Sequence, residues 1–409
     1  MKYLLAICLL IAFSTCNDRS NGKANQQTMD SLSLKDRASA LAQKTIILDG
    51  HVDLPYRLQS LMEDVGVRTN GGDFDFVRAR EGGLDAPFMS IYVPSSYQED
   101  GGAAAYADQL IDLVKNIAAN NPDKFGIAKN PEEVELLFHE GKIALPMGME
   151  NGAPLEKDIT KVQYFYDRGI RYITLTHAKD NLICDSSYDT TRTWNGLSDF
   201  GRQVVQEMNK VGIMVDVSHI SDEAFFQVME ISQAPAIASH SSCRQFTPGW
   251  ERNMSDEMII ELAKNDGVIQ INFGSTFLDQ ASRNSSDQIK IHQQQWEEQH
   301  PDLTAAEVEN YRSQYHSQNY VYADVSKVAD HIDHVVSIAG VEHVGLGSDF
   351  DGVGNTLPEG LKDVSQYPNL IEELLSRGYS EQDIAKICYQ NVFRVWNKTA
   401  EVAAKLKEN

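Results

Sequence analysis

Cysteine is scarce in this sequence, and its placement excludes thiolate metal sites and disulfide frameworks. Only five cysteines occur in 409 residues, and no two of them form a CxxC pair. Two lie near the N-terminus, and the others are too far apart in the chain to indicate a framework, at Cys184, Cys243 and Cys388. Any metal site must therefore be built from histidine and carboxylate side chains.

Basic residues are also in deficit. The chain has 36 lysines and arginines against 59 aspartates and glutamates, which gives a formal charge of −23. With no polybasic run, this balance disfavours a nucleic-acid partner and electrostatic binding to anionic lipid, and it favours acidic clefts that hold cations. Hydrophobic residues make up 42% of the chain, which is enough for a large folded core.

The N-terminal apolar run is too short to cross a membrane. It covers residues 4–13, about half of the roughly 20 residues that a bilayer requires, so residues 1–15 are predicted to be a signal peptide. Cys16 follows small residues, as in a bacterial lipoprotein signal, and we expect it to become a lipidated N-terminus. Ordinary secretion is the alternative. Either way we expect an exported protein, anchored through Cys16 in the first case and facing the periplasm or cell surface.

Polar residues 16–32 are predicted to form a flexible tether, and residues 33–409 a single domain. Within that domain, eight short apolar runs rich in β-branched residues alternate with helical stretches. This pattern predicts an α/β fold, a (β/α)8 TIM-like barrel with extra helices outside it after the second run and between positions 273 and 339. The runs begin at Thr45, Phe88, Lys142, Tyr172, Gly212, Pro235, Gly267 and His343.

Ionisable side chains follow six of these runs where each predicted strand ends. Because the carboxyl ends of barrel strands meet at one mouth, we expect these side chains to share a cavity. Residues two apart on a strand point the same way, so the first pair could hold one cation together. Imidazole and carboxylate ligands suit Zn²⁺, and also Mn²⁺, Fe²⁺ or Co²⁺, and two such ions would support hydrolysis. The residues are His51 with Asp53, Glu150, His177, His219, His240 and Asp349.

Taken singly, each of these residues has an ordinary structural explanation. A lone histidine is most often a hydrogen-bonded core residue, and Asp349 could be a turn former before Gly352. Only their joint placement indicates a metal site. The richer-looking segment "HIDHVV" is predicted to be structural instead, because His331 and His334 lie on a predicted helix, off its apolar stripe.

At this point the chain resembles the membrane (renal) dipeptidases, a branch of the amidohydrolase-like, metal-dependent barrel hydrolases. The resemblance covers about residues 40 to 400. It is carried by the order and spacing of "DGHVDLP", "GMENG", "RYITLTHAKDN", "VDVSHISD", "ASHSSCR", "ERN" and "SDFDG".

The resemblance implies two zinc ions per chain. The HxD pair, His51 and Asp53, would hold one ion, and Glu150 of "GMENG" would bridge to the second. The second ion would be held by His219 and His240. The bridging glutamate separates this branch from relatives that use a carboxylated lysine.

Four further residues gain roles through the same resemblance. His177 would hydrogen-bond the substrate carbonyl or its oxyanion, and Asp349 would carry a proton to the leaving amine. Arg252 would bind the C-terminal carboxylate of the substrate, with Arg244 as a rival. Family tyrosines after the seventh strand are not clearly retained in "INFGSTF", which puts the shape of the subsites in question.

The expected activity is hydrolysis of dipeptides by a metal-bridging hydroxide, including dipeptides with a D-amino acid at the second position. One alternative is a barrel hydrolase acting on another amide, a lactone or a phosphoester. Another is a surface lipoprotein that binds peptides without cleaving them, although such a binder has no need for a proton carrier at Asp349. Relatives often pair, so a homodimer is also expected.

Overall fold

The computed structural model describes residues 33–408. The predicted signal peptide and the tether from Cys16 lie outside the described residues. Within residues 33–408, no helix has both the length and the apolar character needed to cross a bilayer.

Eight parallel strands form a nearly closed barrel, as the sequence predicts. They pair in chain order from the first to the last. The ring approaches closure where Val52 bridges Phe350 and the backbone amide of Asp53 donates to the carbonyl of Phe350 at 2.8 Å. The strands are β1 Ile47–Val52, β2 Leu84–Tyr92, β3 Met147–Glu150, β4 Ile170–Thr174, β5 Met214–Asp216, β6 Ile237–Ser241, β7 Val268–Ile271 and β8 Val344–Leu346.

Alternating strand residues enter two separate apolar cores, which is why the strands are apolar on both faces. One core joins Leu48 of β1, Phe88 of β2 and Tyr172 of β4 with Trp396 from the last helix. The other, larger core packs the remaining strand residues against the surrounding helices.

Helices occupy the connections, and the predicted excursions outside the barrel are present. The first lies between β2 and β3, and the second lies between β7 and β8. The α-helices are Leu34–Ala42, Leu54–Ser60, Phe76–Gly82, Ser96–Asp100, Ala103–Asn120, Pro131–His139, Thr160–Arg168, Asp199–Val211, Asp222–Ile231, Asp256–Lys264, Ser275–Leu278, Gln280–Gln299, Ala305–Asn319, Val325–Ala339, Tyr367–Ser376, Glu381–Ala385 and Asn391–Glu408.

The third apolar run is not one strand. Its first part, Ile143–Ala144, pairs with Phe125–Gly126 in a small separate sheet, and the barrel strand β3 begins only at Met147. Pro146 lies between the two parts and has no amide proton to donate to a sheet, so the run divides there.

His331 is structural, as predicted, but the prediction that it lies off the apolar face of its helix is wrong. The side chain is fully buried. Its Nδ1 accepts a hydrogen bond from the amide of Cys243 at 2.9 Å, and its Nε2 lies 3.0 Å from the carbonyl oxygen of Leu278. These two partners satisfy both ring nitrogens, which allows an imidazole to occupy the core. His334 lies 2.7 Å from a carboxylate oxygen of Asp256.

Candidate active site

The strand ends bring the predicted ionisable residues together at the carboxyl-terminal mouth of the barrel. Three overlapping groups each have ligand atoms within 4.8 Å of one another. All of these side chains are buried except His177, which is partly exposed. The groups are His51 with Glu150 and His240, Glu150 with His177 and His219, and His51 with Asp53 and Asp349.

Glu150 lies at the centre of these groups, and its two carboxylate oxygens lie next to different histidines. Its Oε2 lies 3.3 Å from Nε2 of His51. Its Oε1 lies 3.0 Å from Nε2 of His219 and 3.2 Å from Nε2 of His240. Asp53 is on the His51 side, with its Oδ2 3.5 Å from the same Nε2. One carboxylate therefore separates two sets of ligand atoms, the arrangement that a bridging ligand needs.

Tyr172 of β4 sets the tautomer of His51. The tyrosine hydroxyl donates to the carbonyl oxygen of Gly50 at 3.0 Å and lies 2.8 Å from Nδ1 of His51. Since its single proton is already used, the hydroxyl accepts a hydrogen bond from the N–H at Nδ1. That leaves the lone pair of His51 on Nε2, which faces Asp53 and Glu150.

Asp216 sets the tautomer of His240 through a serine. The hydroxyl of Ser239 donates to Oδ2 of Asp216 at 2.6 Å and lies 2.7 Å from Nδ1 of His240. The serine therefore accepts from Nδ1, and the lone pair of His240 is again on Nε2, facing Glu150. Asp216 is held in turn by Thr174 and by the backbone amides of Ser218 and Ser239.

Two site residues adopt the left-handed backbone conformation immediately after their strands. His219 has φ of 68° and Asp349 has φ of 64°. The amide of Asp349 donates to the carbonyl of His51 at 3.0 Å, and its Oδ2 accepts from Asn272 at 2.8 Å. These turns aim both side chains across the barrel mouth rather than along the strand.

The donor set fits two divalent cations. Nε2 of His51 and Oδ1 of Asp53 are buried without a hydrogen-bond partner among the described residues, which is costly unless a cation is their partner. Burial holds the pKa of both His219 and His240 well below the usual value, so both rings are neutral, as metal ligands must be. Burial opposes ionisation of Glu150, but favourable electrostatic contacts with the surrounding histidines, His51 first, hold its pKa well below the usual value.

Burial, reinforced by the charge of Asp53, raises the pKa of Asp349 to about 7. A carboxyl with a pKa near neutrality can both accept and release a proton at physiological pH. Burial lowers the pKa of His177, so that ring is neutral and keeps one N–H to donate. The ring of His177 packs edge-on against Tyr92, with 4.8 Å between centroids.

The two candidate arginines occupy different environments. Arg252 is 2% exposed, and its Nη2 lies 2.7 Å from the carbonyl of His240 and 3.0 Å from Nε2 of His219. Its Nε is buried without a partner among the described residues. Arg244 instead forms a two-pronged ion pair with Asp222, at 2.7 and 2.6 Å. Arg252 therefore borders the ligand cluster, whereas the charge of Arg244 is already neutralised.

Above the cluster is an open cavity of about 730 Å³, large enough for a small peptide. Its lining includes Tyr56, Tyr92, Glu150 and Asp349. The family model for membrane dipeptidases, peptidase family M19, matches residues 35–409. The chain belongs to this family.

As a member of peptidase family M19, the protein is a metallodipeptidase, and the resemblance drawn from its motifs is confirmed. It is 32% identical over 378 residues to an uncharacterized dipeptidase of Schizosaccharomyces pombe, with 88% of this chain and 83% of the relative covered. It is 32% identical over 381 residues to dipeptidase 3 of Mus musculus, with 91% and 68% covered.

Solved M19-like structures share the fold. The probable dipeptidase PvdM from Pseudomonas aeruginosa superposes with a TM-score of 0.79 at 26% identity, covering 90% of this chain and 99% of that one. A metallopeptidase from Rhodobacter sphaeroides, liganded with a phosphinate mimic of L-Ala-D-Ala, superposes with a TM-score of 0.71 at 24% identity. That match covers 87% of this chain and 99% of the other.

The sequence patterns do not single out the residues that orient His51 and His240. Tyr172 and Asp216 were read as strand residues, and nothing in their local pattern separates them from others. Arg283, which also lines the cavity, comes from the helical excursion between β7 and β8 and follows no strand end.

Proposed function

We propose that the protein is a zinc-dependent dipeptidase with two ions per chain. The observation that carries this proposal is the position of Glu150, whose Oε2 faces His51 and whose Oε1 faces His219 and His240. His51, Asp53 and Glu150 would hold one ion. Glu150, His219 and His240 would hold the other. The nitrogen and oxygen donor set suits zinc, and the described cysteines are buried elsewhere.

Zinc ions held by these residues would supply Lewis acidity, which lowers the pKa of water and polarises a carbonyl near neutral pH. Asp349 takes up the proton of the attacking water and delivers it to the leaving amine. Its burial beside Asp53 and its hydrogen bond from Asn272 support this role.

His177 donates its N–H to the oxygen that becomes negative during the reaction. The ring is neutral, lies at the edge of the ligand cluster, and is exposed enough to reach a substrate. Such a donor typically contributes on the order of 3–4 kcal/mol to transition-state stabilisation.

Arg252 binds the C-terminal carboxylate of the substrate. Its guanidinium borders His219, and its partnerless Nε leaves one donor available. Because a guanidinium N–H forms a charge-assisted hydrogen bond with a carboxylate, this contact would limit substrates to short peptides with a free C-terminus. Arg244 is a poorer choice, since Asp222 already occupies its fork.

Dipeptides with a D-amino acid at the second position belong to the proposed substrate range. The support is the Rhodobacter sphaeroides metallopeptidase, which shares this fold and is liganded with a mimic of L-Ala-D-Ala.

A dipeptide panel tests the proposed function. Alanyl dipeptides with L- or D-residues at the second position are assayed with zinc-loaded enzyme, with chelated enzyme, and with an N-blocked tripeptide amide as a non-substrate control. We expect cleavage that chelation abolishes and zinc restores, with about two zinc ions per chain by elemental analysis. Full activity after complete metal removal would falsify the proposal.

We further propose that Cys16 is lipidated and anchors the enzyme to a membrane after removal of residues 1–15. The support is the short apolar run followed by a cysteine. Expression of the full chain in a bacterial host and detergent phase partitioning test this. Wild type should enter the detergent phase and Cys16→Ser the aqueous phase, and equal partitioning would contradict anchoring.

A further inference from the structure

The cavity above the metal ligands has a cationic wall that the proposed mechanism does not use. The helix Gln280–Gln299, part of the excursion between β7 and β8, contributes Arg283 and Lys290 to the cavity lining. They lie seven residues apart, about two helical turns, and so share one face of the helix. Asp287, between them in sequence, also lines the cavity.

Within residues 33–408, neither cation has a carboxylate within ion-pair distance. The guanidinium of Arg283 instead stacks on the indole of Trp250, 4.2 Å from the ring centroid. Arg283 is half-buried, and burial lowers its pKa in spite of the nearby charge of Asp287. A half-buried guanidinium without an acidic partner is available to bind an anion.

Aromatic contacts connect this cation to the proposed carboxylate-binding arginine. The guanidinium of Arg252 lies 5.1 Å from the ring centroid of Phe277, and the rings of Phe277 and Trp250 are 5.0 Å apart. The guanidinium of Arg283 in turn lies over the ring of Trp250. Arg283 is therefore on the Arg252 side of the cavity, two aromatic rings further from the metal ligands.

Another part of the cavity lining is formed by tyrosines near His177. Tyr92 contacts the ring of His177 and packs against Tyr56, with 4.9 Å between the tyrosine centroids. If Arg252 holds the C-terminal carboxylate, the side chain of the second residue points along the aromatic rings toward Arg283. The first residue then lies toward the tyrosines.

We propose that Arg283, assisted by Lys290 further out, selects dipeptides whose second residue has an acidic side chain. The inference rests on the proposed function, because it assigns a subsite of the same cavity. The Trp250 and Phe277 rings would pack against the aliphatic carbons of a glutamate or aspartate, and the Arg283 guanidinium would pair with its carboxylate.

Paired substrates of equal shape test the assignment. Zinc-loaded wild type is assayed with alanyl-glutamate and alanyl-glutamine, using whichever stereoisomer of the second residue it cleaves faster. We expect kcat/KM to favour alanyl-glutamate about 10-fold to 100-fold, the range of one charge-assisted hydrogen-bonded contact. Arg283→Met should bring this ratio close to one, while Arg283→Lys should retain part of it.

Two further variants complete the experiment. One reverses the charge at position 283, and the other removes a distant arginine as a control. Arg283→Glu should favour alanyl-lysine over alanyl-glutamate. Arg312→Met serves as the matched control, because Arg312 is an exposed arginine of the neighbouring helix whose partner is Glu297. It should leave the glutamate-to-glutamine ratio at the wild-type value. Thermal unfolding confirms that each variant is folded.

The outcomes separate this inference from the proposed function. A wild-type ratio near one, or an Arg283→Met variant that loses both substrates equally, overturns the acidic subsite while dipeptide hydrolysis stands. Equal loss would mean that Arg283 binds the C-terminal carboxylate shared by both peptides. A zinc-loaded wild type that cleaves neither peptide nor any member of the dipeptide panel contradicts the proposed function itself.

Discussion

The hydroxyl of Tyr172 lies 2.8 Å from Nδ1 of His51, and its own proton is committed to the carbonyl of Gly50. This pair holds the imidazole with its Nε2 lone pair toward the ligand cluster. Residues 121 positions apart are thus joined across the barrel interior. The contact fixes the tautomer of His51, a proposed metal ligand, without any charged partner.

Tyr172→Phe should weaken metal binding while leaving the fold intact. The ring still fills the core, but Nδ1 of His51 loses its acceptor and the imidazole can turn or change tautomer. We expect about 10-fold to 100-fold lower zinc affinity, the usual effect of losing such a supporting contact. Competition between the metal-free protein and a chromophoric chelator measures it. Tyr389→Phe, remote from the ligands, is the control, and equal affinities in both variants would show that the tyrosine does not orient His51.

Asp349→Asn should retain both metal ions and lose turnover. The amide matches the carboxylate in shape, tolerates the left-handed backbone, and cannot take up a proton at neutral pH. We expect kcat to fall by about 10² to 10⁴. Elemental analysis accompanies the kinetics. A variant with normal turnover would remove Asp349 from proton transfer, and one with reduced zinc content would make it a ligand instead.

Arg252→Met and Arg244→Met should have different consequences. Loss of Arg252 removes the proposed contact with the substrate carboxylate, so KM for dipeptides should rise at least about tenfold. Loss of Arg244 leaves Asp222 without its two-pronged partner, and we expect a lower melting temperature with nearly unchanged KM. Steady-state kinetics and calorimetry on both variants measure these effects. The reverse pattern would transfer the carboxylate-binding role to Arg244.

His331 should make the folded state less stable in acid. Burial lowers the pKa of His331 to about 4, whereas an unfolded histidine titrates near 6.5. Between these values the unfolded chain binds a proton that the folded chain does not. The free energy of unfolding therefore falls as the pH drops from about 6.5 to about 4, by about 3 kcal/mol from this residue.

The test compares urea unfolding of wild type and His331→Gln across that pH range. The stability advantage of wild type should shrink on acidification and level off below pH 4. His139→Gln, at an exposed helix end, should track wild type at every pH. A constant difference between wild type and His331→Gln would mean that His331 does not titrate differently on unfolding.

The barrel and the convergence of its strand-end residues could be predicted because both follow local rules. Each strand is a short apolar run, and barrel strands meet at their carboxyl ends, so polar residues after the runs must converge. His51 and Asp53 could be paired from their spacing alone. The division of the third run could also have been found, since Pro146 is visible within it and proline rarely continues an inner strand.

Contacts that depend on barrel closure could not be predicted. The chemical role of Tyr172 depends on the contact between its hydroxyl and His51 of β1. No local sequence pattern predicts that contact. The same holds for Ser239, which looks like an ordinary small residue between Ala238 and His240. Arg283 could not be predicted for another reason. It lines the cavity only because the helices between β7 and β8 pack against the mouth of the barrel.

The left-handed turns at His219 and Asp349 have a consequence for the evolution of this enzyme. Each non-glycine residue in that conformation strains the backbone by on the order of 1 kcal/mol, which glycine would relieve. The substitutions that most easily stabilise these turns are therefore the ones that delete a proposed metal ligand or the proposed proton carrier. Selection for thermostability and selection for catalysis act in opposite directions at these two positions, so stabilising changes must accumulate elsewhere in the barrel.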